Sequence, residues 1–193
     1  MKKILSMILC GAMVLSIASC SVSDEIPTLE TNATTASDAA KDPVAPTATD
    51  ADFSPDFTFK TTDRVGNEYD ERVFSSAKLT MINFWEPWCG PCVNEMPDLG
   101  TLYKTYKDQG LQILGVYSEK DMEQEVVSIL GQSKVSYPIL HYTPEFDRFQ
   151  TGYVPTTVFV DSKGHIIKMS DGTDSVIGSN SYEAWESIIK QYL

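Results

Sequence analysis

Two cysteines in this sequence have the spacing of a redox pair. Cys89 and Cys92 are separated only by Gly90 and Pro91, so on a helix the second sulfur would lie about one turn from the first, within disulfide reach. A thiolate of low pKa can attack a disulfide, and a neighbouring thiol can then resolve the mixed disulfide that forms. The spacing therefore predicts thiol–disulfide exchange.

The cysteine pair lies where a predicted strand gives way to a predicted helix. Residues 79–84 form a short apolar run with β-branched and aromatic side chains, which indicates a buried strand, and apolar residues recur with helical spacing from Val93 to Tyr106. Cys89 would lie at the first helical turn, where free N–H groups and the helix dipole favour a thiolate. Pro91 suits that turn because its fixed φ is helical and no N–H is lost there.

The first twenty residues have the pattern of an export signal. Lys2 and Lys3 precede an apolar run, residues 4–17, that is short for a membrane span. The run ends in Ile-Ala-Ser before Cys20, which resembles the lipobox of bacterial lipoproteins. This pattern predicts a signal peptide over residues 1–19 and lipidation of Cys20; a secretory signal with an incidental cysteine is the alternative.

Cleavage there would leave Cys89 and Cys92 as the only thiols, since Cys10 would leave with the signal and Cys20 would be a thioether. The mature chain would carry 13 basic and 27 acidic residues, a net charge of −14. Such a balance argues against nucleic-acid binding and against charge-driven adhesion to anionic lipid, so the lipid would be the membrane anchor.

Residues 20–52 are predicted to be a flexible tether behind the lipidated cysteine. They are rich in Ser, Thr, Ala and Asp and contain no aromatic residue, so they cannot bury enough apolar surface to fold, and a coil of this length spans roughly 30 Å. The folded domain is predicted over residues 53–193.

The domain is predicted to alternate strands and helices and then to close with a hairpin and a helix. In chain order we first expect a hairpin turning at 65–68, a strand at 79–84, a helix near 90–108 ending at Gly110, and a strand at 111–117. A helix from an Asp121 cap to about Gln132, a short extended piece at 137–140 and a helical turn within 146–153 are expected next. The domain is then expected to end in a hairpin of 156–161 with 165–169 and a helix from the Ser181 cap to Leu193. This order predicts an α/β fold of three layers around a central mixed sheet.

The motif Trp88-Cys89-Gly90-Pro91-Cys92 behind an apolar strand, with Val154-Pro155-Thr156 before a later strand, resembles the thioredoxin fold. The export signal, the N-terminal hairpin and the extra segment between about Gly115 and Tyr153 resemble the TlpA/ResA branch of membrane-anchored thiol–disulfide oxidoreductases. The resemblance covers residues 53–193. It implies a thioredoxin-like fold with an N-terminal hairpin and an insertion after the second core strand, and a redox-active disulfide with no metal or other cofactor.

By this resemblance, Cys89 is the exposed nucleophile and Cys92 the buried resolving cysteine. Pro155 corresponds to the family's cis-proline, beside which Val154 offers its backbone to the substrate chain; Trp88, Gly90 and Pro91 complete the implied substrate-binding surface.

Three acidic or amide residues refine this assignment. Asn83 stands where cytosolic thioredoxins have a buried Asp, and an amide cannot take a proton from Cys92. Glu95 matches the acidic residue typical of the ResA-like branch and is expected to shuttle that proton if burial raises its pKa; a solvated helix residue is the alternative. Glu86, followed by Pro87, departs from the usual small or polar residues and is expected to alter partner choice.

The implied function is the reduction of disulfides in extracytoplasmic proteins, such as apocytochrome c, by a monomer that receives electrons from a membrane thiol transporter of the CcdA/DsbD type. The Gly-Pro dipeptide matches reducing thioredoxins. A disulfide-forming oxidant or isomerase of the same fold is the alternative. A zinc site is a further one, since Cys89, Cys92, His141 and His165 are possible ligand types, although they lack paired spacing.

Overall fold

The computed structural model describes residues 52–193. The predicted signal peptide, Cys20 and nearly all of the predicted tether lie outside the described residues, so those predictions stay predictions. The strands are β1 (Lys60–Thr62), β2 (Glu68–Asp70), β3 (Leu79–Phe84), β4 (Leu111–Tyr117), β5 (Ile139–His141), β6 (Thr156–Asp161) and β7 (Val176–Ile177). The α-helices are α1 (Gly90–Tyr106), α2 (Glu123–Ser133) and α3 (Tyr182–Tyr192).

Five strands form a mixed sheet in the order β5-β4-β3-β6-β7, and β1 and β2 form the predicted hairpin. The central strand β3 runs parallel to β4 and antiparallel to β6. Every residue of β3 is buried, which explains why four of its six residues are apolar on alternating and adjacent positions, because a central strand is covered on both faces. The prediction of a central mixed sheet is confirmed.

All three α-helices contribute to the apolar core on one face of the sheet. Met96 and Leu99 of α1, Val126 of α2 and Trp185 and Ile189 of α3 belong to this core and are fully buried. The apolar residues that recur with helical spacing in the sequence therefore form the face of each helix that packs against the sheet.

Aromatic side chains from outside the α-helices cover the other face. Phe57, Phe59 and Phe74 come from the N-terminal segment and from a 3₁₀ helix at Glu71–Ser76, while Phe146 and Phe149 come from a 3₁₀ helix at Pro144–Phe149. The rings of Phe57 and Phe149 meet edge to face at 4.8 Å between centroids, a favourable geometry for aromatic pairs. This aromatic layer completes the predicted three layers.

Two predicted elements differ from the structure. Asp121 does not cap α2, because residues 120–122 form a 3₁₀ turn in which the Met122 N–H donates to the Glu119 carbonyl, and α2 begins only at Glu123. Residues 165–169 do not form a strand, although this segment pairs with the end of β6 through a bridge from Ile166 to Val160 and a hydrogen bond from the Ile167 N–H to the Phe159 carbonyl. β7 pairs with the first two residues of β6, Thr156 and Thr157.

None of the helices in residues 52–193 has both the length and the apolar character needed to span a membrane.

Candidate active site

Cys89 and Cys92 form a disulfide at the start of α1. Cys89 is the N-cap residue, and its Sγ accepts a hydrogen bond from the Cys92 N–H at 3.2 Å. Pro91 occupies the first turn of the helix. After reduction, this N–H and the positive end of the helix dipole would stabilise a thiolate at Cys89.

The oxidised cysteines are largely covered. Cys89 is 5% exposed and Cys92 is 1% exposed, so the exposed position expected for Cys89 is wrong in this state. Trp88, which precedes Cys89, is 60% exposed, and the Cys89 Sγ lies 3.5 Å from the Val154 carbonyl oxygen.

The sheet register explains why Val154 reaches a cysteine 65 positions earlier in the chain. Phe84, the last residue of β3, pairs with Thr156, the first residue of the antiparallel strand β6. The segment after β3, which carries Cys89, and the segment before β6, which carries the cis Val154–Pro155 peptide bond, therefore meet at one edge of the sheet. The structure thus brings together the predicted site residues Cys89, Cys92, Trp88, Val154 and Pro155.

Glu95 is buried, and its carboxylate accepts hydrogen bonds from three donors. Its Oε1 accepts from the Asn83 side-chain amide at 3.0 Å, and its Oε2 accepts from the Asn180 N–H and the Trp185 indole N–H, each at 3.1 Å. With 3% exposure, Glu95 is not the solvated residue of the alternative interpretation. It follows Cys92 by three positions on α1, a spacing that makes two helical residues neighbours.

Burial raises the pKa of Glu95 above its ordinary value of 4.5, while the hydrogen bonds from Trp185, Asn180 and Asn83 oppose the rise and the charge of Asp98 adds to it. A carboxylate with a raised pKa is suited to receive a proton from a neighbouring thiol. The geometry and the pKa direction are thus consistent with the proton shuttle expected from the sequence.

The pKa of Glu95 predicts a specific pH dependence of stability. Because the folded state raises this pKa, it binds the proton more tightly than the unfolded state, so stability is gained as the pH falls and lost as it rises through the folded-state pKa. We expect the unfolding free energy of the wild type, minus that of Glu95→Gln, to increase as the pH is lowered towards 4.5. Urea titrations at a series of pH values measure this difference, and a difference independent of pH would contradict the prediction.

Glu86 has a structural role that its sequence position did not reveal. It is 8% exposed, its Oε1 accepts hydrogen bonds from the N–H and hydroxyl groups of Ser118 at 2.9 and 2.5 Å, and its Oε2 accepts from the Glu119 N–H at 3.2 Å. Its backbone carbonyl accepts from the Cys89 N–H at 3.0 Å. Glu86 therefore ties the cysteine-bearing segment to the end of β4.

The two histidines do not join the cysteines. His141 Nδ1 lies 3.3 Å from the Thr62 hydroxyl, and His165 Nδ1 lies 3.5 Å from an Asp161 carboxylate oxygen. Within residues 52–193, no group of three or more His, Cys, Asp or Glu side chains is arranged to hold a metal ion. The arrangement gives the zinc alternative no support.

A disulfide capping a helix, beside a cis-proline segment and on a mixed sheet of this order, defines the class of thioredoxin-fold thiol–disulfide oxidoreductase domains. The family model described as Redoxin matches residues 48–184. The chain belongs to the Redoxin family.

Two curated relatives are the thiol-disulfide oxidoreductases ResA of Oceanobacillus iheyensis and Geobacillus kaustophilus. The first is 32% identical over 127 residues, which are 63% of this chain and 64% of the relative; the second is 31% identical over 122 residues, which are 62% of this chain and 68% of the relative. The chain thus matches slightly less than two thirds of the length of the Oceanobacillus protein. These similarities support the ResA-like branch expected from the sequence.

Among solved structures, a thiol:disulfide interchange protein of the thioredoxin family from Chlorobium tepidum has a TM-score of 0.60 at 22% identity, covering 72% of this chain and 95% of that one. StoA from Bacillus subtilis has a TM-score of 0.54 at 20% identity, covering 67% of this chain and 94% of that one. Both similarities show the fold, and the predicted thioredoxin-like fold is confirmed.

Proposed function

We propose that this chain reduces disulfide bonds in exported proteins through the Cys89–Cys92 dithiol. The observation that carries the proposal is the position of the disulfide: Cys89 caps α1, where the Cys92 N–H contacts its sulfur, and the same sulfur lies beside the Val154 carbonyl. The first contact stabilises an attacking thiolate. The second would place substrate backbone next to it.

The reaction proceeds by two exchanges. The Cys89 thiolate attacks one sulfur of the substrate disulfide, forming a mixed disulfide and releasing the other substrate sulfur as a thiolate that takes a proton from water. Cys92 then gives its proton to Glu95 and attacks Cys89, and the second substrate sulfur leaves as a thiolate. The substrate gains two electrons, and the chain is left with its own disulfide.

The surface around the disulfide suits a polypeptide substrate. Trp88 and Tyr153 are 60% and 71% exposed, and large exposed aromatic side chains are typical of binding surfaces. Both line a cleft of about 420 Å³ that also includes Val154. Trp88, Val154 and Pro155, with Gly90 and Pro91 on the exposed first turn of α1, would form the substrate-binding surface.

The oxidised pair must be reduced again, and outside the cytosol this requires a dedicated electron donor. We place the domain outside the cytosol as a monomer, anchored to the cell membrane by lipid on Cys20 and supplied with electrons by a membrane thiol transporter of the CcdA/DsbD type. Apocytochrome c and other exported proteins with disulfides are the substrates proposed. The names of the ResA relatives support the reaction class, and the export pattern of the sequence supports the location.

The reduction potential tests the direction of electron flow. We expect a value near that of thioredoxin, about −270 mV, when residues 52–193 are equilibrated with defined thiol buffers. A value near about −120 mV, as in DsbA, would identify an oxidant, and one near about −180 mV, as in protein disulfide isomerase, would favour an isomerase. Insulin reduction by the reduced protein gives an independent check, since an oxidant would leave insulin disulfides intact.

A further inference from the structure

The cleft beside the disulfide combines aromatic walls with one charged residue. Its lining includes Phe84, Trp85, Trp88, Tyr142 and Tyr153, and Glu86 is the only Asp, Glu, Lys, Arg or His among the described residues that line it. The cleft reaches Val154, whose carbonyl lies 3.5 Å from the Cys89 sulfur. A substrate chain bound at the disulfide would therefore extend into this cleft.

The Glu86 carboxylate has hydrogen bonds but no cationic partner. Its three donors are neutral groups of Ser118 and Glu119. Within residues 52–193, no Lys, Arg or His nitrogen forms an ion pair with it, although seven such pairs occur elsewhere in that region. A largely buried carboxylate without a counter-ion gives the cleft a negative potential.

The aromatic walls of the cleft also favour a cationic ligand. The faces of aromatic rings carry partial negative charge and attract ammonium and guanidinium groups, most strongly where water is partly excluded. Trp88 and Tyr153 line the cleft and are also well exposed to solvent. An anionic or a neutral side chain would gain little from this combination, whereas a cationic side chain with an apolar stem would bury the stem and keep its charge near the carboxylate.

We propose that the cleft selects substrate polypeptides that carry a lysine or arginine close to the reactive cysteine, and that Glu86 determines this specificity. The proposal rests on the proposed disulfide reductase function. An extended chain advances about 3.3 Å per residue, so a side chain about two residues from the cysteine would reach the cleft while the cysteine sulfur stays at Cys89. The overall charge of the chain, −12, would also favour cationic partners.

Matched peptides test the proposal. Each carries one cysteine in a mixed disulfide with thionitrobenzoate and, two positions away, either lysine or Nε-acetyl-lysine, which keeps the shape and removes the charge. Stopped-flow release of thionitrobenzoate by the pre-reduced protein gives the second-order rate of attack on the peptide sulfur. We expect the lysine peptide to react about fivefold faster, as cation–aromatic and charge complementarity allow.

The variant Glu86→Gln is expected to bring the two rates within about a factor of two, because it removes the one charged side chain among the described residues that line the cleft. Glu125→Gln is the matched control: Glu125 is exposed on α2 and does not line the cleft, so this variant changes the net charge equally and should keep the fivefold preference.

Three results would overturn the proposal: equal rates for the two peptides with the wild type, an equal loss of preference in both variants, or a Glu86→Gln variant that slows both peptides while keeping their ratio. The last result would mean that Glu86 only holds the cysteine segment. A wild-type protein that attacks neither peptide would instead contradict the proposed reductase function.

Discussion

Replacing Cys89 by serine is expected to reduce disulfide turnover by about a thousandfold or more, because a serine hydroxyl stays protonated and cannot attack a disulfide. The Cys89 sulfur is the one that receives the Cys92 N–H and lies beside Val154, so no other described group has its combination of stabilisation and access. Insulin reduction with a thiol donor, measured above the uncatalysed background, provides the rate.

The variant Cys92→Ser separates the roles of the two sulfurs. It keeps the attacking thiolate but removes the group that resolves the mixed disulfide, so it should accumulate a covalent adduct with substrate that intact mass spectrometry detects. Cys89→Ser should form no such adduct. Adducts on Cys92 in the Cys89→Ser variant, with none in the Cys92→Ser variant, would show that the roles assigned here are reversed.

Replacing Trp185 by alanine is expected to lower the free energy of unfolding by about 3–5 kcal/mol, the range for a large aromatic side chain removed from a packed core. Trp185 is fully buried, its ring lies 6.2 Å from that of Phe159, and its indole N–H donates to Glu95. The loss thus combines a cavity between α3 and the sheet with a buried carboxylate deprived of one donor. Urea unfolding measures the change.

The variant Trp185→Phe keeps most of the ring and removes the N–H donor. We expect it to cost about 1–3 kcal/mol, the penalty for leaving a buried polar group without a partner. It should also raise the pKa of Glu95 further, because a hydrogen bond to the charged form is lost. If the phenylalanine variant were as stable as the wild type, the indole hydrogen bond would have no role in stability.

The sequence alone determined the parts of this protein that depend on neighbouring residues. The run from Leu79 to Phe84, the two cysteines and the periodic residues after them specified a buried strand followed by a helix, because strand and helix periods are local properties. The sequence also predicts Ser181 as the N-cap of α3, because capping depends on residues within one helical turn; the Ser181 hydroxyl accepts a hydrogen bond from the Ala184 N–H. The cysteine chemistry followed from their spacing.

The structure decided what depends on residues far apart in the chain. The first 3₁₀ turn after β4 displaced the start of α2 from Asp121, since the local signal for a cap does not exclude a preceding turn. Residues 165–169 do not continue as a strand, because beyond Ile167 the backbone forms a turn in which the Met169 N–H donates to the Thr173 carbonyl. The first residues of β6 pair with β7, which lies later in the chain.

In the active site, too, the sequence predicts the reactive residues, whereas their environment depends on residues far apart in the chain. Nothing local indicates that Cys89 is covered when oxidised, that Glu95 receives a donor from α3, or that the Glu86 carboxylate is buried against Ser118. The hydrogen bond from Ser118 to Glu86 joins residues 32 positions apart, and that from Trp185 to Glu95 joins residues 90 positions apart. The residue types therefore predicted which atoms react, while the packing of β3, β4 and α3 around them sets the charges and proton affinities with which they do so.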